Sequence, residues 1–98
     1  MNTESIKKEL ISLVSTLFAD NGFDVDMIEY ADLVDDLGMD SILFVSLIVE
    51  IEFLFGITIP DDMLEQENFN TLEKIESVVL GLIKNEDDEN AKQTNKNA

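Results

Sequence analysis

Residues 41–55, SILFVSLIVEIEFLF, are apolar on two sides of one helix. Phe44, Leu47, Ile48, Ile51, Leu54 and Phe55 recur at three- and four-residue spacing and supply a complete core face. A second stripe is left over: Ile42, Val45, Val49 and Phe53, with Leu43 beside it. A helix apolar nearly all round is either buried on both sides or offers one side to a partner. The chain has 98 residues, and the last fourteen, NEDDENAKQTNKNA, hold nothing apolar larger than Ala91. Such a segment cannot bury enough surface to offset its ordering, so 85–98 is expected to be a disordered acidic and polar tail and 1–84 the folding body. A body of that size hides roughly 60% of its unfolded surface and cannot sandwich a central helix between complete layers. Part of the second stripe is therefore expected at the surface, bordered by Ser46, Glu50 and Glu52; the alternative is that a long loop covers it.

The rest of the chain also reads as helix. Ile6, Leu10, Leu13, Val14, Leu17 and Phe18 share one face of a first helix, with Thr3 as a candidate N-cap and Glu4 at the positive end of the dipole. Residues 19–40, ADNGFDVDMIEYADLVDDLGMD, form a long connection along which Phe23, Val25, Ile28, Tyr30, Leu33, Val34 and Leu37 are scattered. A connection this long is ordered in a compact domain only when its own apolar residues pin it to the core. We expect an ordered loop with a short helical turn near Asp32 to Leu37. The second helix begins at Ser41, capped by Asp40 or Ser41, and Gly56 stops it. Ile57 to Ile59 are extended before Pro60, a short helix follows over Asp61 to Gln66, and a last helix starts near Thr71 with Asn70 and Glu73 as a capping pair. Its apolar face is Leu72, Ile75, Val79, Leu82 and Ile83. The expected fold is all-α: a small bundle of three main helices plus one short helix, with a long ordered loop between helices 1 and 2.

The charge narrows the function. Twenty-two acidic residues face six lysines and no arginine, giving a net charge of −16. Four of the acids and two of the lysines lie in 85–98, so the body still carries −14. Nothing here could neutralise phosphates, so nucleic acid is not an expected partner; a partner with a basic patch is. With neither histidine nor cysteine, the commonest proton shuttle, the base of most Ser or Cys triads and any disulfide or thiolate zinc site are missing. No catalytic residue and no metal ligand set is expected. A calcium loop fits neither a start at Asp20, which puts Gly22 at position three, nor one at Asp24, which puts Ile28 at position five. The N-terminal residues lack the apolar block of a signal peptide, and 42–55 is short for a bilayer span, which needs about 20 residues. A soluble, cytoplasmic monomer without membrane insertion is the expectation.

Residues 36–60 read DLGMDSILFVSLIVEIEFLFGITIP. This resembles the acyl carrier protein family, whose signature is Asp-Leu-Gly-x-Asp-Ser-hydrophobic followed, about eighteen residues on, by Phe-Gly-Ile-x-Ile-Pro. Here these are Asp36-Leu37-Gly38-Met39-Asp40-Ser41-Ile42 and Phe55-Gly56-Ile57-Thr58-Ile59-Pro60. Asn70-Thr71-Leu72-Glu73-Lys74-Ile75 extends the likeness into the last helix, and 1–84 would be the carrier domain. The resemblance implies that a phosphopantetheinyl transferase places 4'-phosphopantetheine, from coenzyme A, on Ser41. It further implies that Asp40 contacts the transferase and that a thiol on the arm holds an acyl or aminoacyl cargo as a thioester. Loading ligases and downstream biosynthetic enzymes with basic patches are the implied partners, and the carrier has no catalysis of its own. Independently, Ser41 sits where a helix dipole favours a phosphate, and Gly38 lets the backbone turn closely before the helix. In fatty-acid-synthesis members the positions matching Leu43, Ser46 and Phe53 are usually acidic. Their apolar and neutral character here, with Leu47-Ile48-Val49-Glu50-Ile51-Glu52 and Asn68-Phe69-Asn70-Thr71, looks like D-alanyl carriers and stand-alone carriers of polyketide or nonribosomal peptide assembly. That implies a dedicated secondary pathway, with partner recognition on Ile42, Leu43, Val45, Val49 and Phe53. The alternatives are a fatty acid synthesis carrier and an acidic adapter on the same fold that lacks the arm.

Overall fold

The structure, a computed structural model, describes residues 3–22 and 24–83. Phe23, Lys84 and the tail 85–98 lie outside the described residues. Helix α1 spans Thr3–Leu17 and buries Ile6, Leu10 and Val14 at the helical period expected for its face. Helix α2 spans Ser41–Phe55 and buries Leu47, Ile48 and Ile51. Helix α3 covers 72–83, with Leu72, Ile75 and Val79 buried. Described residues show the all-α bundle with no strand among them.

Between α1 and α2 the described residues of the connection pack on the core as anticipated. It contains 3₁₀ segments at Ala19–Asn21 and Val25–Tyr30, then a single helical turn over 33–37. Ile28, Ala31, Leu33, Leu37 and Met39 are buried and fasten it to the core. The short helix expected over Asp61 to Gln66 is realised as two 3₁₀ turns, Asp61–Met63 and Gln66–Asn68. They are separated because Glu65 is extended, at φ −126° and ψ 139°. Phe69 is fully buried, and its ring meets Phe44 of α2 at 5.8 Å between centroids. This tilted pair joins the segment before α3 to the central helix.

Two details of the sequence reading are corrected. Leu54, assigned to the core face of α2, is exposed. Glu9, Ser12, Leu13 and Thr16 of α1 line an open groove of about 270 Å³ beside Leu54, so α1 does not cover it. Asn70 does not cap α3. The Thr71 hydroxyl accepts the Lys74 N–H at 3.2 Å and takes that role, because Asn70 is engaged elsewhere.

The second stripe of α2 is at the surface and the loop does not cover it. Ile42 is 77% exposed and Phe53 86%, with Val45 and Val49 more than half exposed between them. Leu43 behaves differently: it is half-buried and packs against the core.

Candidate attachment site

The segment before α2 is built from local bonds that the sequence encodes closely. Asp32 begins the turn: its Oδ1 accepts the N–H of Val34 at 2.9 Å and of Asp35 at 2.8 Å. Asp36 reciprocates, its Oδ2 accepting the Asp32 N–H at 2.9 Å. The turn closes when the Gly38 N–H donates to the Val34 carbonyl at 3.1 Å. Gly38 sits at φ +73°, a left-handed conformation that side chains with a Cβ rarely adopt. The Asn21 side chain, at the end of the first 3₁₀ segment, donates to the Leu37 carbonyl at 2.6 Å. Met39 returns to the core: it is buried, and its N–H donates to the Leu33 carbonyl at 2.8 Å.

Asp40 and Ser41 therefore emerge from a pinned loop. Asp40 is the N-cap of α2, with extended backbone and a carboxylate that accepts the Leu43 N–H at 2.8 Å. Ser41 is the first residue of the helix and is exposed. With Asp40 filling the cap, no described residue hydrogen-bonds the Ser41 hydroxyl, which leaves its Oγ open to a partner. A phosphodiester on that oxygen would displace no bond of the fold. It would stand by the first N–H groups of α2, which have no helical acceptor, and at the positive end of the dipole. The Asp40 carboxylate opposes this by like charge, but its bond to the Leu43 N–H partly neutralises it. The residues present fit an attached phosphate group.

Of the residues singled out from sequence, Gly38, Asp40, Ser41 and Ile42 come together at this end. Val45, Val49 and Phe53 continue from Ile42 along the exposed flank of α2, while Leu43 turns toward the core. Sequence reading missed Asn21, Asp32, Asp36 and Asn70 as parts of the loop's scaffold. The Asp32-x-x-x-Asp36 spacing was the available signal for two of them; the asparagines act through contacts distant in sequence.

Three helices with an exposed serine at the start of the central one are what the resemblance to carrier proteins leads one to expect. The comparisons agree. Residues 10–79 match the family model described as phosphopantetheine attachment site, and the chain belongs to that family. It is 33% identical over 79 residues to aminoacyl carrier protein 1 of Bradyrhizobium diazoefficiens, covering 81% of this chain and 86% of that one. It is 36% identical over 78 residues to the D-alanyl carrier protein of Streptococcus suis, covering 80% and 95%. The D-alanyl carrier protein of Lactococcus lactis subsp. cremoris is 32% identical over 72 residues, covering 71% and 86%. No solved structure matches. The protein is a carrier protein that works through covalently bound 4'-phosphopantetheine. Carriers of this family meet a phosphopantetheinyl transferase and the ligases or synthetic enzymes they serve. No helix among the described residues is long and apolar enough to cross a membrane.

Proposed function

We propose that Ser41 is the attachment residue and that the cargo is an aminoacyl group, carried in a dedicated pathway outside fatty acid synthesis. The observation that carries the first part is the division of labour at the start of α2. Asp40 takes the cap, so the Ser41 oxygen is exposed and has no bond to give up. The arm's contribution is a terminal thiol that holds the cargo as a thioester. The chain's own residues supply the rest. Gly38 and Asp40 shape the approach to Ser41, and Asp40 is the contact offered to the transferase. Ile42, Val45, Val49 and Phe53 give incoming enzymes an apolar track that begins one residue from the attachment point, with Leu43 at its edge. Apolar anchors of this kind contribute most at an interface centre. The net charge of −16 draws partners with basic patches.

The aminoacyl cargo is supported by the printed names of the relatives, which are aminoacyl and D-alanyl carriers, together with the apolar track. In this reading the chain performs no catalysis and works as a monomer in the cytoplasm, where coenzyme A and the transferase meet it.

The test is direct. The full chain, incubated with coenzyme A, magnesium and a broad-specificity transferase, should gain one phosphopantetheine by intact mass. Ser41→Ala should gain none, and Ser46→Ala should label like the wild type. Labelling of the Ser41→Ala protein overturns the attachment site. Protein recovered from its native cell should carry an amino acid on the arm; a fatty acyl chain there overturns the cargo.

A further inference from the structure

We infer that Asn70 is a positioning residue for loading: through Asp32 it holds the turn that carries Asp40 and Ser41 in the shape a transferase meets. The inference rests on Ser41 being the attachment residue.

Asn70 reaches back 38 residues, its Nδ2 donating to Asp32 Oδ2 at 3.2 Å. Its backbone carbonyl accepts the Leu33 N–H at 2.7 Å. The two bonds clasp the entry to α3 onto the start of the turn. The Asn70 Oδ1 is buried and meets no hydrogen-bond donor among the described residues. An orphaned buried carbonyl oxygen is destabilising, and turning the amide over would set that oxygen against the Asp32 carboxylate.

From the clasp, hydrogen bonds run to Met39, two residues before Ser41. Asp32 caps the turn through the Val34 and Asp35 N–H groups. The Leu33 carbonyl accepts from Met39, and Met39 precedes the cap Asp40. A loop ordered beforehand spares the encounter the loss of its conformational entropy. A loosened loop must be ordered on binding. Once bound, Asp40 and Ser41 are unchanged. The effect therefore falls on KM and not on kcat.

The experiment measures transferase kinetics against carrier concentration, using the full chain, coenzyme A and magnesium. Asn70→Ala removes the side-chain bond of the clasp to Asp32 and keeps the backbone carbonyl that accepts from Leu33. Asp32→Ser keeps an oxygen for the Val34 and Asp35 N–H groups but is too short to reach Asn70, and it carries the test if Asn70→Ala fails to fold. In each, KM should rise about fivefold to tenfold, the scale of one ordinary hydrogen bond, with kcat and the helical signal unchanged. Because the two residues form one bond, the double variant should be no worse than the more affected single variant. In the unloaded protein, amide exchange at Leu33 and Met39 should quicken in Asn70→Ala while Ile51 and Val79 keep their protection.

An unchanged KM, a loss confined to kcat, or unchanged exchange at Leu33 and Met39 overturns the positioning role. Additive effects in the double variant do the same. If Ser41→Ala is loaded like the wild type, the attachment reading falls and takes this inference with it. If Ser41→Ala is not loaded but Asn70→Ala shows the wild-type KM, only this inference falls.

Discussion

The Glu52 side chain, in the last turn of α2, accepts the backbone N–H of Ile59 at 2.8 Å. Its backbone carbonyl also accepts from Gly56 and Ile57. One residue thus closes the helix and ties down the extended segment that buries Ile57 and Ile59. Glu52→Ala should cost about 1–2 kcal/mol by leaving the Ile59 N–H without a partner. Glu52→Gln, which keeps an acceptor, should recover most of that. The urea midpoint reads both changes, and equal midpoints for Ala and the wild type would show that the bond adds nothing.

Asp40 and Ser41 should separate cleanly in thermal unfolding. Asp40→Ala removes the cap and should cost about 1 kcal/mol. Ser41→Ala removes a hydroxyl bonded to no described residue and should change stability by less than about 0.5 kcal/mol. A larger loss in Ser41→Ala than in Asp40→Ala would reverse the assignment of the cap.

Phe53→Glu and Leu43→Glu, similar on paper, should diverge. Phe53 is exposed, so its substitution should leave the fold within about 0.5 kcal/mol of wild type. Leu43 packs against the core, so a carboxylate there should cost about 1–3 kcal/mol. Only Phe53→Glu then reports recognition free of folding, and it should weaken the cognate loading enzyme about tenfold, as loss of an interface anchor does. Loading at the wild-type rate would move selectivity off the stripe.

The charge should show in the melting temperature. With −16 on the chain, self-repulsion opposes the compact state, and screening relieves it. The melting temperature should rise from low to moderate salt and with millimolar magnesium. A flat or falling response would rule out self-repulsion as the limit.

Lys7 should contribute to alkaline unfolding. Its Nζ lies 3.2 Å from Glu29 Oε2, and the hydrogen bond and charge of Glu29 hold the ammonium above its ordinary 10.5, with smaller contributions from Glu76 and Tyr30. A value raised by folding stabilises the fold fully below the unfolded value, and this is lost as pH rises through the higher folded one. Lys7→Met should therefore lose stability relative to wild type below about pH 10, and the gap should close at higher pH. A gap constant with pH would show that the ion pair is not its source.

Much of this architecture was legible because helical periodicity is a local signal. The faces of α1, α2 and α3 follow from apolar spacing, and the exposed stripe follows from Ile42, Val45, Val49 and Phe53 being surplus to a core this small. The caps were harder. Asp40-Ser41 and Asn70-Thr71 each place two cap-capable residues side by side, and local chemistry does not choose between them. At Asn70 the choice is made by Asp32, far away in sequence. Leu54 misled because its period is right while an open groove separates it from the Glu9, Ser12, Leu13 and Thr16 side of α1. The two 3₁₀ turns follow from an extended Glu65 whose sequence gives no Gly or Pro to announce the break.

Met39 lies buried two positions before the exposed Ser41, its N–H tied to Leu33. A group attached at Ser41, as proposed, would swing from a pivot fastened to the core through Met39. Its reach is decided by the length of what hangs there and not by give in the protein.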